Sequence, residues 1–466
     1  MLTYQDFAAA ADRGAFLARA VREHRASEDY AIARDASLYD RQMNVTIREV
    51  VRTIYTRTLK AAADPVASNN RIACNFFNRL LTQRVNYLLG NGVTFTRHHR
   101  KTAGPDGTAA DVDETREMLG RDFDTQLKRI AYAAEMHGVS FGFVNYDSGS
   151  GWNLHLFPLT EFVPLYDEET GSLRAGIRFW CPDWGNKPTR AVLYEENGYT
   201  RLQGGSRFEI IEPRRAYRQI LRRTGPDRET VIGGENYAAG LPVIPFYGKH
   251  RQSALVGMRA AIDSYDLIQS GFANDLADCA QIYWLISGAL GMDDEDLTRF
   301  RERLLFQHIA LADLDGSSVT PYTQDVPFQA RQAYLAHIRS SIYEDFGALD
   351  VTNMAASSRT ATEIEAAYQP LDEEADDFEY RCIAFIRQAL RVMGVDDMPV
   401  FKRNRISNQL EQTQMVMLEA AYLDRETVLS KLPNVTPDEA QGILARAGGG
   451  NGGDPENAHR PDRGGA

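Results

Sequence analysis

The stretch IDSYDLIQSGFANDLADCAQIYWLI, Ile262 to Ile286, decides how the chain is read. Counted outward from it, Leu255, Met258, Ile262, Tyr265, Ile268, Phe272, Leu276, Cys279, Tyr283 and Ile286 recur at steps of three and four, the interval of one helix face. The spacing predicts a single helix from Ser253 to Ile286, roughly 50 Å long at ~1.5 Å per residue. A helix of that length exceeds what one small core covers. Gly271 and several carboxylates also interrupt it, so the question is what lies against its apolar stripe.

Downstream, SGALGMDDEDLTRFRERLLF breaks the pattern and reads as a short helix with an acidic start. QHIALADLDGSSVTPYTQDVP follows as two short strands around a turn. A second long helix, FQARQAYLAHIRSSIYEDFG, carries Leu335, Ile338, Ile342 and Phe346 and stops at Gly347. ALDVTNMAASSR is a small, polar loop. A third long helix opens with Thr360 and Glu363 in capping-box spacing, runs its stripe through Ile364, Tyr368, Leu371, Phe378, Cys382 and Phe385, and should bend at Pro370. The C-terminal part is a short helical array with a strong start at Thr436, Pro437 and Glu439. From Gly448 the glycine-rich tail has nothing to bury.

Upstream, NVTIREVVRTIYTRTL and RIACNFFNRLLTQRVNYLLG read as helices, the second stopped by Gly90-Asn91-Gly92. Residues 101–115 read as a polar loop, and MLGRDFDTQLKRIAYAAEMHG as a helix ending at Gly138. From Val139 to about Gly248 the chain alternates polar and apolar residues between turn clusters such as DSGSG and DEETGS, which predicts a mostly antiparallel sheet region. The fold class expected is α+β, mainly α.

The 466 residues carry a net charge of −12 and are 43% hydrophobic. That acidity argues against tight binding of nucleic acid over the general surface, since such affinity comes from Lys and Arg releasing counterions. Cys74, Cys181, Cys279 and Cys382 are widely separated, which fits reduced thiols rather than a disulfide or zinc framework. No signal peptide or membrane-spanning run is visible.

Chemistry-bearing motifs are scarce. GxxxxGK[ST], HExxH and GxSxG are absent. GNGVTF places Phe95 where a dinucleotide fingerprint needs its third glycine, and it ends a helix instead of opening one. His98-His99 sit in a polar loop, and DLDGSS at Asp313 to Ser318 lacks the remaining positions of a calcium loop. The acidic run Asp372 to Glu379 offers hard-cation ligands but also fits the wet face of an amphipathic helix. The expectation is no catalytic residue, no metal and no cofactor.

Taken in order, four segments resemble the Gp6-like (SPP1-type) phage portal proteins: ASNNRIACNFFNRLLTQRVNYLLGNGVTF, GLPVIPFYGKH at Gly240 to His250, DSYDLIQSGFANDLAD, and LDRETVLSKLPNVTPDEAQGIL. Together they cover most of Ile47 to Leu444; the chain before about Tyr39 matches nothing placed. The resemblance implies a ring, typically of twelve subunits, at one capsid vertex, assembled in the host cytoplasm, through which double-stranded DNA is packaged and ejected. It also implies an architecture of a wing (1–252 and 360–406), a first stem helix (253–286), an α/β clip (287–327), a second stem helix (328–347), a tunnel loop (348–359), a helical crown (407–447) and a disordered tail (448–466). The partners implied are other copies of the chain, the terminase large subunit, a head-completion or adaptor protein, the scaffold and the major capsid protein, with no membrane.

On that resemblance, Asn353, Met354, Ala355, Ser357, Ser358 and Arg359 would face DNA in the tunnel loop. Arg331, His337 and Arg339 are candidate channel-lining residues, an outer solvated face being the alternative. Leu255, Met258, Ile262, Tyr265, Phe272, Leu276 and Tyr283 would pack the stem, because a projecting arm too thin for its own core must find neighbours. An acidic wall also suits a conduit, since many cationic contacts would hold a moving duplex. The competing readings are another head–tail connector component, or an α+β enzyme with a site of scattered carboxylates.

Overall fold

The computed structural model describes residues 2–50, 53–55, 61–63, 68–103, 109–147, 151–182, 187–223, 229–279, 283–287, 318–322, 328–352 and 361–404, with short pieces between 295 and 302 and between 416 and 443. At the N-terminus, α1 (Tyr4–Ala9), α2 (Arg13–Ala26) and α3 (Glu28–Asp40) follow one another with little loop. Their starts are capped by side chains. Thr3 and Asp6 form a reciprocal capping box, Asp12 accepts the Ala15 N–H, and Ser27 accepts the Tyr30 N–H while closing α2 through its own N–H. Each such cap satisfies a backbone donor that the helix leaves unpaired.

Among the described residues of NVTIREVVRTIYTRTL, Val45–Glu49 is helical, α4, and Thr53–Tyr55 is a strand, β1, paired with β2 (Ala61–Ala63). Its crowding of Val, Ile and Thr favours extended backbone. α5 (Phe76–Leu89) and β3 (Val93–Phe95) follow. The predicted polar loop at 101–115 is instead a hairpin, β4 (His99–Ala103) with β5 (Ala109–Asp113), and Asp113 caps α6 (Glu114–Leu119). The predicted helix to Gly138 is broken at Gly120, whose φ of +75° leaves the helical region, and resumes as α7 (Phe123–His137).

The antiparallel region holds as predicted. β6 (Val139–Asp147) and β7 (Gly151–Pro158) join β15 (Val243–Tyr247) in the order β15-β6-β7. β8 (Phe162–Tyr166), β9 (Leu173–Trp180), β10 (Thr189–Glu195), β11 (Gly198–Gly204) and β12 (Phe208–Arg215) form a meander, and β13 (Arg218–Arg223) pairs with β14 (Glu229–Glu235). Alternate residues of the meander, among them Ile177, Phe179, Ala191, Leu193 and Leu202, pack under Phe7, Leu17 and Val21 of α1 and α2. So the N-terminal segment that matched nothing in sequence is a cover for one sheet face.

α8 (Leu255–Cys279) and α9 (Phe328–Phe346) are the two long rods, and α10 (Ala361–Met393) continues through Pro370. The first rod is shorter than predicted. Tyr283–Ser287 is a strand, β16, paired with β17 (Ser318–Tyr322), so Tyr283 and Ile286 do not extend the helical stripe. The run Tyr-Trp-Leu-Ile there is apolar at every step and rich in strand-favouring types, which helical counting alone cannot distinguish from a helix. Of the two strands predicted over 307–327, Ser318–Tyr322 is present, and its partner comes from before the insertion. β18 (Pro399–Phe401) pairs with β3, and α11 (Arg425–Lys431) ends the described elements.

The main core lies between the β15-β6-β7 sheet, α7 and α10, where Phe141, Phe157, Phe246, Phe378 and Phe385 are all buried. Gly142 is required there, because a Cβ would come within 2.4 Å of Phe385 Cζ. Asn353, Met354, Ala355, Ser357, Ser358 and Arg359, the residues expected in a tunnel loop, lie outside the described residues, as do the expected cap at Thr436, Pro437 and Glu439 and the tail.

Candidate functional site

α8 emerges where α7 ends. Gly138 closes α7 with φ +88°, Ser253 Oγ donates to the Met136 carbonyl at 2.5 Å, and the Leu255 N–H bonds that same hydroxyl at 3.2 Å. A side chain at position 138 would strike the Gln252–Ser253 backbone within about 3 Å, so only glycine lets the rod start so close to the body.

The first turns of the apolar stripe are buried by the chain itself. Leu255, Met258 and Ile262 pack on Phe76, Phe77, Leu80 and Leu81 of α5, on Tyr39, and on Ile338, Ile342 and Phe346 of α9. Further out this cover thins. The Tyr265 ring meets Phe76 edge-on at 4.9 Å, Phe272 touches Phe328 at 5.5 Å, and Leu276 and Phe328 are each 53% exposed. Phe76 also touches Tyr343, so the rods run antiparallel, with the Phe272–Phe328 pair towards the exposed end. The stripe predicted to be covered by neighbours is therefore covered internally at its root and open towards its tip.

The carboxylates of α8 have a structural use. Residues 70–74, within the segment SNNRIAC, lie beside the helix, and alternate backbone donors bond its side chains. Asn70 N–H reaches Asn274 Oδ1 at 2.6 Å, Ile72 N–H reaches Ser270 Oγ at 2.9 Å, and Cys74 N–H reaches Asp266 Oδ1 at 2.9 Å. The match is geometric. Two residues of extended chain advance ~6.6 Å and four residues of helix ~6.0 Å, so i, i+2, i+4 donors stay in register with acceptors four apart.

Asp266 is fully buried, also accepts from Asn44 Nδ2, and is raised in pKa chiefly by burial. One turn earlier, Asp263 accepts from the Tyr39 hydroxyl and from Thr46 Oγ1 at 2.6 Å. Burial drives the Cys74 thiol up to about 12, so it is an inert neighbour and not a nucleophile. Sequence reasoning missed this strap. Its signal was Asp263, Asp266, Ser270 and Asn274 at steps of three and four, a polar stripe beside the apolar one.

A second constellation ties the C-terminal end of α9, its root, to the body. Buried Arg84 of α5 donates to Glu135 Oε2 at 3.0 Å and to the Phe346 carbonyl at 2.7 Å, and lies 3.1 Å from Glu374 Oε2. Its guanidinium is stacked 3.9 Å over the Phe346 ring. Glu135 is also bonded by Arg381, and Glu374 by Lys249 at 2.5 Å. Arg84, Glu135 and Glu374 are each paired twice, as charges removed from water require, while half-exposed Lys249 has Glu374 alone.

Arg331 pairs with Asp275 across the two rods, and Arg339 forms a two-pronged pair with Asp350 at 2.9 and 3.0 Å, while His337 is exposed. The acidic run is engaged by arginines: Asp372 by Arg403 at 2.8 Å, Asp377 by Arg381 at 3.1 Å, and Asp376 also by Arg403. Among the described residues no group of three or more His, Cys, Asp or Glu side chains is arranged to hold a metal ion. His98 Nε2 lies 3.2 Å from the Asp396 carbonyl.

Comparison with known proteins bears on what this arrangement is for. The chain is 23% identical over 420 residues to the portal protein of Bacillus phage SPP1, covering 85% of this chain and 79% of that one. It is 22% identical over 390 residues to the portal protein of Clostridium phage phiCD119, covering 78% and 82%. Solved chains from the neck of an empty gene transfer agent particle and from a native gene transfer agent virion overlay with TM-scores of 0.43, at 12% and 11% identity. They cover 78% of this chain and 91% and 90% of their own, an overlay too distant to carry weight. The family model described as phage portal protein, SPP1 Gp6-like, matches residues 32–451, from within α3 to the start of the tail, and the chain belongs to that family.

Proposed function

We propose that the protein forms a closed ring, of twelve subunits by family habit, that conducts double-stranded DNA into and out of a phage head. The observation that carries this is the uneven cover of the α8–α9 arm, rooted in its own chain at Ile262 and bare at Leu276 and Phe328. A surface that repeats identically on every copy and meets a different surface on the next closes into a ring when the rotation allows. In this reading residues 1–252 and 360–406 make the wing, α8 and α9 the stem, 287–327 the clip and 407–447 the crown.

The ring would sit at one capsid vertex of the virion and act by shape and charge, without a catalytic step of its own. The terminase large subunit would dock on the clip and supply the force. An adaptor protein would close the same opening later, and scaffold and major capsid protein would meet the wing. The net charge of −12 supports passage without gripping. Arg331 and Arg339, each already paired with a carboxylate, would give the duplex little purchase. Asn353, Met354, Ala355, Ser357, Ser358 and Arg359 would form the constriction.

Replacing Met354 and Ser357 by Ala and measuring DNA packaged per particle tests the constriction. Altered packaging or ejection is expected, and values equal to the unmodified chain would remove those residues from the role.

A further inference from the structure

The meander has a second face that the N-terminal helices do not cover. Register places Trp180 opposite Arg190, Arg178 opposite Val192, and Arg190 opposite Gln203, with Val192 opposite Arg201, so these side chains share that face. Between it and the strands β6 and β7 lies an open cleft of about 940 Å³, at the upper end of the ~300–1,000 Å³ usual for ligand pockets. Three arginines line it against two carboxylates, Asp147 and Glu212, in a protein that is acidic overall.

Three aromatic rings of the cleft already carry a cation over one face. Arg178 lies 5.4 Å over Trp180, Arg201 lies 5.8 Å over Tyr199, and nearby Arg218 lies 5.1 Å over Tyr146. A guanidinium flat on a ring keeps its N–H edge for an anion, while the ring face it covers is lost to nucleobase stacking. The carboxylate partners of two of the cations are loose or exposed, Glu161 at 3.6 Å from Arg178 and Glu212 at 3.1 Å from Arg201. Among the described residues, exposed Arg190 has no carboxylate partner.

We propose that this cleft docks an acidic, extended peptide segment of a partner protein, whose carboxylates pair with Arg190, Arg178 and Arg201. Carboxylates match the guanidinium fork in two-pronged hydrogen bonds. A nucleic acid suits the cleft less well. Its bases would compete with the guanidinium groups already seated on Trp180, Tyr199 and Tyr146, and its dense charge meets the repulsion of the whole acidic body. A short segment with a few carboxylates senses mainly the arginines within a Debye length of ~8 Å.

The test uses the full chain in whatever oligomeric state it adopts, so its outcome is separate from that of ring formation. A fluorescently labelled peptide of alternating Glu and Ser is titrated by fluorescence polarisation, beside a Gln-Ser peptide and an oligodeoxythymidine of equal length. The Glu-Ser peptide should bind and weaken with salt. R190E should lower its affinity about tenfold or more with unchanged thermal melting, and R190Q by less. No preference for Glu-Ser over Gln-Ser, an R190E protein that binds as the unmodified chain does, or tighter binding of the oligonucleotide would each overturn the proposal, the last by assigning the cleft to nucleic acid.

Discussion

Ser270 on α8 holds the Ile72 backbone N–H at 2.9 Å, the middle rung of a ladder whose outer rungs are Asn274 with Asn70 and Asp266 with Cys74. A side-chain ladder of this kind fixes where a loop lies on a rod without needing any particular side chain from the loop. Ser270→Ala leaves a part-buried donor unmade and should cost about 1–2 kcal/mol. Hydrogen exchange followed by mass spectrometry should show faster exchange confined to residues 70–74, and unchanged exchange there would show that the ladder does not hold the segment.

The ion cluster at the base of the second rod predicts a larger effect. Arg84→Met removes two charge contacts and the bond to the Phe346 carbonyl, while Arg381 and Lys249 still face Glu135 and Glu374. Breaking a buried pair one-sidedly costs about 3–5 kcal/mol, and the remaining cations place this case near 3. The midpoint of urea unfolding reads it; a loss below about 1 kcal/mol would mean that the cluster is structurally idle.

Acidification should weaken the fold through His137. Burial lowers its pKa to about 4, against 6.5 for the free side chain. The unfolded chain therefore binds more protons between those values, and stability is present above about 6.5 and lost as pH falls towards 4. The slope reaches at most about 1.4 kcal/mol per pH unit from this group. Asp266, raised by burial, works in the opposite sense at its own titration. The comparison with His137→Gln isolates the histidine, since the substituted chain should show a shallower fall between pH 6.5 and 5. Equal slopes would count against a neutral buried imidazole.

Two substitutions on one helix separate folding from assembly. Ile262 is completely buried within the chain and Leu276 is half-exposed. Ile262→Asp should prevent folding, because an unpaired carboxylate cannot remain in that cluster. Leu276→Asp should leave subunit stability within about 0.5 kcal/mol, as exposed changes usually do, yet reduce oligomer mass. Circular dichroism and size-exclusion chromatography with light scattering read the two effects; an intact oligomer for Leu276→Asp would place that face outside any contact.

The long rods, the strand region and their order were legible because each has a sustained period, 3.6 from Leu255 to Cys279 and 2 through β9 and β10. Illegible were short elements whose composition contradicts their spacing, as at Thr53–Tyr55 and Tyr283–Ser287. The β4–β5 hairpin was also invisible, since a polar, glycine-containing stretch reads as loop whether or not its backbone pairs. The strap and the Arg84 cluster were hidden for a different reason. Asn70 and Asn274, or Arg84 and Glu374, are brought together by the fold, and no local pattern announces that pairing.

The ring is the claim on which the functional reading depends, and the mass of the purified chain tests it most directly. Light scattering at high concentration, with negative-stain images of the same sample, should give a large closed assembly with a central hole. A stable, folded single chain that stays monomeric under those conditions would contradict it.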